Sequence, residues 1–183
     1  MSQIAKGDKI PQDIEFQYIP IDISQLETLS ALSCQRPISL KLNKLFESKG
    51  KVLIVAVPGA FTPTCTENHI PPYLKNLKEL KTKLGITNLL IVAFNDAFVL
   101  NAWGKLLLQQ NITNKDEPEI PHVYFVSDGT FSKSIGLLNT ETGRTQRYAL
   151  IIDQTSQTVE YVGVEVERGV KYSGLDAVLS SRL

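Results

Sequence analysis

Lys51-Val-Leu-Ile-Val-Ala-Val-Pro-Gly-Ala-Phe-Thr-Pro-Thr-Cys65 is the stretch that decides the fold. Every residue from Val52 to Val57 is apolar. A strand with one wet face alternates apolar and polar; an unbroken run reads as a strand covered on both faces. Pro58-Gly59 ends it. Thr62-Pro63 then opens a helix, with Thr62 as N-cap and Pro63 at the first helical position, where proline is tolerated. Leu74, Leu77, Leu80 and Leu84 carry a helical stripe on to Gly85, with a kink expected at Pro71-Pro72.

Working outward, residues 88–94 repeat the signature of a buried strand. Phe98 to Leu108 reads as a helix carrying Trp103, and Val123 to Val126 as a strand ended by Ser127-Asp-Gly129. Arg147 to Ile152 and Thr158 to Val164 read as two strands around Asp153-Gln154. Residues 174–181 read as a closing helix. Upstream, Phe16 to Ile21 is expected to be an edge strand because of Pro20. Residues 22–37 are polar and loop-like, and Leu40, Leu42, Leu45 and Phe46 suggest a short helix closed by Gly50. The order is α/β with one late antiparallel hairpin: a thioredoxin-like mixed sheet flanked by helices, with an added N-terminal strand. The 183 residues suit a single domain, 1–183, without internal repeats.

Composition excludes several classes of function. Nineteen basic and nineteen acidic residues cancel, which leaves no electrostatic footprint for nucleic acid or an anionic membrane. The longest apolar runs fall far short of the roughly 20 residues a membrane helix needs. The first residues lack the apolar core of a signal peptide. With two cysteines, Cys34 and Cys65, and no Cys-x-x-Cys pair, the chain is no disulfide framework. An intracellular, reducing setting is expected, where each thiol needs its own explanation.

Cys65 follows a buried strand and falls near the start of a helix. Free N–H groups and the positive end of the helix dipole favour the thiolate there, and the thiolate is the reactive form. A buried structural cysteine is the competing reading. Position and flanking prolines favour reactivity.

The spacing Pro58-x-x-x-Thr62-x-x-Cys65 is expected by chance in on the order of 1% of chains this long. The full run Pro58-Gly-Ala-Phe-Thr-Pro-Thr-Cys-Thr-Glu-Asn-His-Ile-Pro71 resembles the active-site motif of peroxiredoxins, in the type-5 or fungal alkyl hydroperoxide reductase subfamily. Asn95 to Trp103, Ser127 to Gly136 and Arg147 to Ile152 match the family in order, so the resemblance covers residues 6–183. It implies that Cys65 is the peroxidatic nucleophile, that Pro58 and Thr62 complete its pocket, and that Arg147 is the active-site arginine. Taken without the resemblance, Arg147 reads as a solvated residue at a strand end. Hydrogen peroxide and alkyl hydroperoxides are the implied substrates, thioredoxin the reductant, and a homodimer the working state.

The chain departs from some relatives in having no cysteine after Cys65. Cys34, in Leu32-Ser-Cys-Gln-Arg-Pro37, is similar in context to the resolving cysteine of yeast-type relatives, which acts across a dimer. A one-cysteine enzyme recycled by glutathione or glutaredoxin is the competing reading. A thioredoxin-fold redox relay without significant turnover is the reading from another class. His69, one turn after Cys65, invites a Cys–His hydrolase reading, but within the motif it reads as structural. The four Cys and His positions lack the short paired intervals of a zinc site, and there is no Walker loop, Gly-x-Gly-x-x-Gly or nicotinamide motif, so no metal and no cofactor are expected. Phe61, Phe98 and Ile120 are candidates for a collar around the pocket or a dimer surface, or for simple core. Ser181-Arg182-Leu183 resembles a peroxisomal address, which makes the expected location cytoplasmic, peroxisomal or both.

Overall fold

The computed structural model describes residues 2–112 and 119–181. Arg182 and Leu183, which carry most of the expected peroxisomal address, lie outside the described residues.

The decisive stretch forms strand β3, Lys51–Val57. Its side chains divide by period two between two separate cores. Leu53, Val55 and Val57 enter one apolar cluster, and Val52, Ile54 and Ala56 enter the other. The unbroken apolar run therefore reports a layer on each face. β3 pairs parallel with β4, Ile86–Ala93, on one side and antiparallel with β8, Tyr148–Asp153, on the other. With β1 (Glu15–Tyr18), β2 (Ile38–Lys41), β5 (His122–Ser127) and β9 (Val159–Val164), these strands form one mixed sheet in the order β2-β1-β5-β4-β3-β8-β9.

The first core holds α2 (Ile70–Lys75), α3 (Leu77–Leu84), α4 (Ala97–Asn111) and α6 (Leu175–Leu179) against the sheet through Tyr73, Leu77, Trp103 and Val178. The second holds α1 (Leu42–Leu45) and α5 (Phe131–Ser134) through Leu42, Leu45 and Phe131. A two-residue pair, β6 (Leu138–Asn139) with β7 (Arg144–Thr145), leads into the approach to β8. No helix among the described residues is long and apolar enough to cross a membrane.

Three expectations are corrected. β1 is not an edge strand: β2 pairs on its outer side, and Pro20 lies beyond the strand's end, where it costs no ladder bond. The leucines of 40–46 fit a helical period, but the segment is strand to Lys41 and only then a single helical turn. The break in the long helix falls at Asn76, with φ −120° and ψ 29°, and not at Pro71-Pro72. Both prolines occupy the first turn of α2, where a missing N–H is least costly.

Candidate active site

β3 ends by delivering the chain into a tight turn, residues 58–62. Phe61 takes a left-handed φ of 59° there, which costs a non-glycine residue about 1–3 kcal/mol. Two contacts hold the turn in place. The Ala60 amide donates to Asn95 Oδ1 at 2.9 Å, tying the turn to the end of β4. The Phe61 ring rests against Trp103, with centroids 6.5 Å apart. Thr62 does not cap the following helix. Its hydroxyl donates to the Gly59 carbonyl at 2.9 Å, so toward a ligand Thr62 offers lone pairs rather than a proton.

The turn leads into a π-helical segment, Thr64–His69, closed by the Ile70 amide donating to the Cys65 carbonyl. Such wide turns are rare and concentrate at functional sites. Cys65 and His69 both point inward from it and are fully buried. Arg147 comes from the other side, immediately before β8. Its Nη2 donates to Cys65 Sγ at 3.3 Å and its Nη1 to His69 Nδ1 at 2.9 Å. A guanidinium has no acceptor, so His69 Nδ1 must be bare and Nε2 must carry the proton. That proton goes to the Ser173 carbonyl, at 2.8 Å. The same carbonyl accepts from the Tyr73 hydroxyl at 2.5 Å.

The structure brings Cys65, Arg147 and His69 into direct contact; Thr62 stands three residues before Cys65 in the turn that Pro58 opens. The role of His69 in orienting Arg147 was missed from sequence; its one signal was its place one helical turn from Cys65. Asn95 stood out only as the start of the matching stretch Asn95 to Trp103; its hold on the turn was not legible, because its partner Ala60 is a strand away. Cys34 is not part of the cluster. It is an exposed free thiol on the loop between a 3₁₀ turn, Ile23–Gln25, and β2, while Cys65 is a buried free thiol. α4 grips that loop: Lys105 donates to the carbonyls of Ser30 and Ser33, and Gln109 to those of Leu26 and Leu29. The three collar candidates divide. Phe61 and Phe98 are about half exposed, and Ile120 is core. Among the described residues no three His, Cys, Asp or Glu side chains gather as a metal site would require.

Burial is the main cause that pushes His69 down from 6.5 to about 4; the charge of Arg147 adds to it, while the Ser173 carbonyl and Glu165 act the other way. The neutral ring is what Arg147 needs as an acceptor. Between pH 6.5 and about 4 the unfolded chain binds a proton that the native chain refuses. The stability is therefore complete above that window and declines through it as pH falls, by about 3 kcal/mol in all. Urea unfolding at a series of pH values should show this slope, and His69→Gln should remove it. An equal slope in the variant would place the titration elsewhere.

A mixed sheet that sets a buried thiol beneath a guanidinium at the head of a helical turn suits a protein that works through a cysteine thiolate. Comparison with known proteins narrows the class. The Redoxin family model matches residues 5–179. The chain is 39% identical over 183 residues to "Peroxiredoxin AHP1" of Chaetomium thermophilum, covering 98% of this chain and 95% of that protein. It is 42% identical over 180 residues to a "Putative peroxisomal peroxiredoxin" of Lipomyces kononenkoae, covering 95% and 98%. Among solved structures, reduced Prx3 of Vibrio vulnificus in complex with hydrogen peroxide superposes with a TM-score of 0.73 at 29% identity, covering 97% of this chain and 98% of that one. The chain belongs to the peroxiredoxin family, with its thioredoxin-like fold, and its activity is that of a peroxidase.

Proposed function

We propose that the chain, acting as one domain over residues 1–183, is a dimeric two-cysteine peroxidase for hydrogen peroxide and alkyl hydroperoxides, recycled by thioredoxin. The observation that carries the reading is the Arg147 guanidinium 3.3 Å from a fully buried Cys65 sulfur. The Cys65 thiolate attacks one peroxide oxygen. An S–O bond forms, the O–O bond breaks, and the leaving oxygen takes a proton to depart as water or an alcohol. Arg147 stabilises the negative charge as it passes from sulfur to oxygen. Thr62, its own proton committed to Gly59, accepts from the peroxide hydroxyl. Pro58 and the strained Phe61 turn keep the entry narrow.

Cys65 is then a sulfenic acid. The Cys34 thiolate attacks its sulfur, an S–S bond forms and hydroxide leaves as water. The support for Cys34 is its exposure on a loop, where an attacking thiol must be. A disulfide needs Cα atoms within about 7 Å, so a buried Cys65 must first leave its pocket by unwinding the π-helical turn. The partner is Cys34 of a second copy. Thioredoxin's dithiol reduces the exposed disulfide and restores both thiols.

A coupled assay tests the cycle: peroxide should drive NADPH consumption through thioredoxin and its reductase. One equivalent of hydrogen peroxide should also give a covalent dimer on non-reducing gels that dithiothreitol collapses. Cys34→Ser should stay monomeric and accumulate sulfenic acid. Turnover with glutathione and glutaredoxin but not thioredoxin would establish the one-cysteine cycle instead, and oxidation without turnover a redox relay. Location in the peroxisome, the cytoplasm or both belongs to the same reading, supported by the name of the Lipomyces relative. A fluorescent fusion that leaves Leu183 free should reach peroxisomes, and one lacking Ser181 to Leu183 should not; a wholly cytosolic intact fusion overturns the peroxisomal part.

A further inference from the structure

The support of Arg147 does not end at His69. His69 rests on the carbonyl of Ser173, and Ser173 belongs to the segment that links β9 to α6. A connecting segment is a poor anchor for a catalytic group unless something fixes it. Here Glu165, just past the end of β9, does so. Its Oε1 accepts from the amides of Tyr172 and Ser173, each at 2.6 Å, and from the Ser173 hydroxyl at 2.9 Å. Its own amide donates to the Arg147 carbonyl at 3.0 Å. One residue therefore grips Arg147 at the backbone and, through Ser173 and His69, also supports the guanidinium.

The surroundings are built to let the segment come this close. A Cβ at Gly163 would collide with the Tyr172 carbonyl, and one at Gly174 with the Val170 carbonyl. The Tyr161 hydroxyl donates to that same Tyr172 carbonyl at 2.5 Å. Partial burial pushes the Glu165 carboxyl up, but the bonds from Ser173, Tyr172 and Lys171 outweigh it and hold the group below the ordinary glutamate range. It is ionised at neutral pH.

We infer that Glu165 is a positioning residue for the peroxide step: by clamping residues 172–173 it holds the Ser173 carbonyl where it fixes the His69 tautomer and so aims Arg147 at the Cys65 sulfur. The inference rests on the peroxidase reading of this site. It touches no reacting atom itself. Its effect passes entirely through Arg147, and that makes the inference separable from a general loss of stability.

The test uses the intact protein and stopped-flow mixing with hydrogen peroxide, read by Trp103, whose indole donates to Thr66 beside Cys65 at 3.2 Å. Glu165→Ala should slow Cys65 oxidation about tenfold, and Glu165→Gln, which keeps an acceptor, should restore most of that rate. Reduction of preformed disulfide by thioredoxin should not change. In an Arg147→Ala background, Glu165→Ala should cost nothing further, because the path it acts through is gone. A readout that needs no peroxide is exchange of the His69 Nε2 proton by NMR: slow in wild type, faster in Glu165→Ala, slow again in Glu165→Gln. Unchanged proton exchange and an unchanged oxidation rate in Glu165→Ala, or a full additional loss in the Arg147→Ala background, overturn the inference. Failure of the wild type to oxidise at Cys65 overturns the peroxidase reading instead, and the proton exchange still decides whether Glu165 holds His69.

Discussion

Cys65→Ser is expected to remove peroxide turnover altogether, to below a few per cent of wild type, while the chain still folds. The two halves of this expectation have separate causes. Serine cannot take the oxidation that cysteine takes, so no sulfenic acid forms and no disulfide can follow. No neighbouring group substitutes for the sulfur. Arg147 and a neutral His69 surround the position with donors and a spent acceptor, not with a second nucleophile. The fold survives because the substitution changes one atom in a packed cluster whose mass lies in Tyr73, Trp103 and the leucines around them. The serine hydroxyl also inherits a hydrogen-bonding partner in Arg147. The measurement is direct: peroxide loss over time, beside urea unfolding followed by Trp103 fluorescence. Turnover above a few per cent in a folded variant would falsify the assignment of Cys65 as nucleophile.

How much of this was legible in the sequence depends on the range over which each cause acts. The central strands were readable because burial on both faces writes itself into adjacent residues: Val52 to Val57 can be nothing but apolar when alternate side chains enter two cores. The turn at Pro58 and the helix start at Pro63 are equally local. β2 was not readable, because Leu42, Leu45 and Phe46 carry a helical period that draws Leu40 into it, and pairing with β1 is what holds Ile38–Lys41 extended. The same limit governs the site. Pro58, Thr62 and Cys65 lie within one turn of chain and announce each other through spacing. Arg147 approaches from another strand, and only the family resemblance singled it out. His69 was visible but its purpose was not, since its two partners, Arg147 and Ser173, are remote in sequence. The π-helical turn left no signature either. It reflects which carbonyls find partners once Cys65 and His69 are both turned inward, which is a tertiary outcome rather than a propensity.

Arg147→Ala carries the second large effect, and it should fall on one step only. Charge moves from sulfur to the departing oxygen during O–O cleavage, and a fixed guanidinium stabilises it most in the transition state. Loss of one such donor typically costs about 100-fold to 1,000-fold in rate, so Cys65 oxidation by hydrogen peroxide should slow by that order in stopped-flow experiments. Reduction of preformed disulfide by thioredoxin should change little, because in the proposed cycle Cys65 leaves the pocket before that step. Arg147→Lys discriminates further. The guanidinium spends Nη1 on His69 and Nη2 on the sulfur at once, a fork that a single ammonium cannot reproduce. Lysine keeps the charge and loses the aim, so its rate should lie between those of alanine and arginine and nearer to alanine. If lysine restores the full rate, charge alone is sufficient and the His69 support has no part in catalysis. If alanine oxidises as fast as wild type, Arg147 serves only to fill the space above Cys65, and the charge must be met by the backbone of the turn.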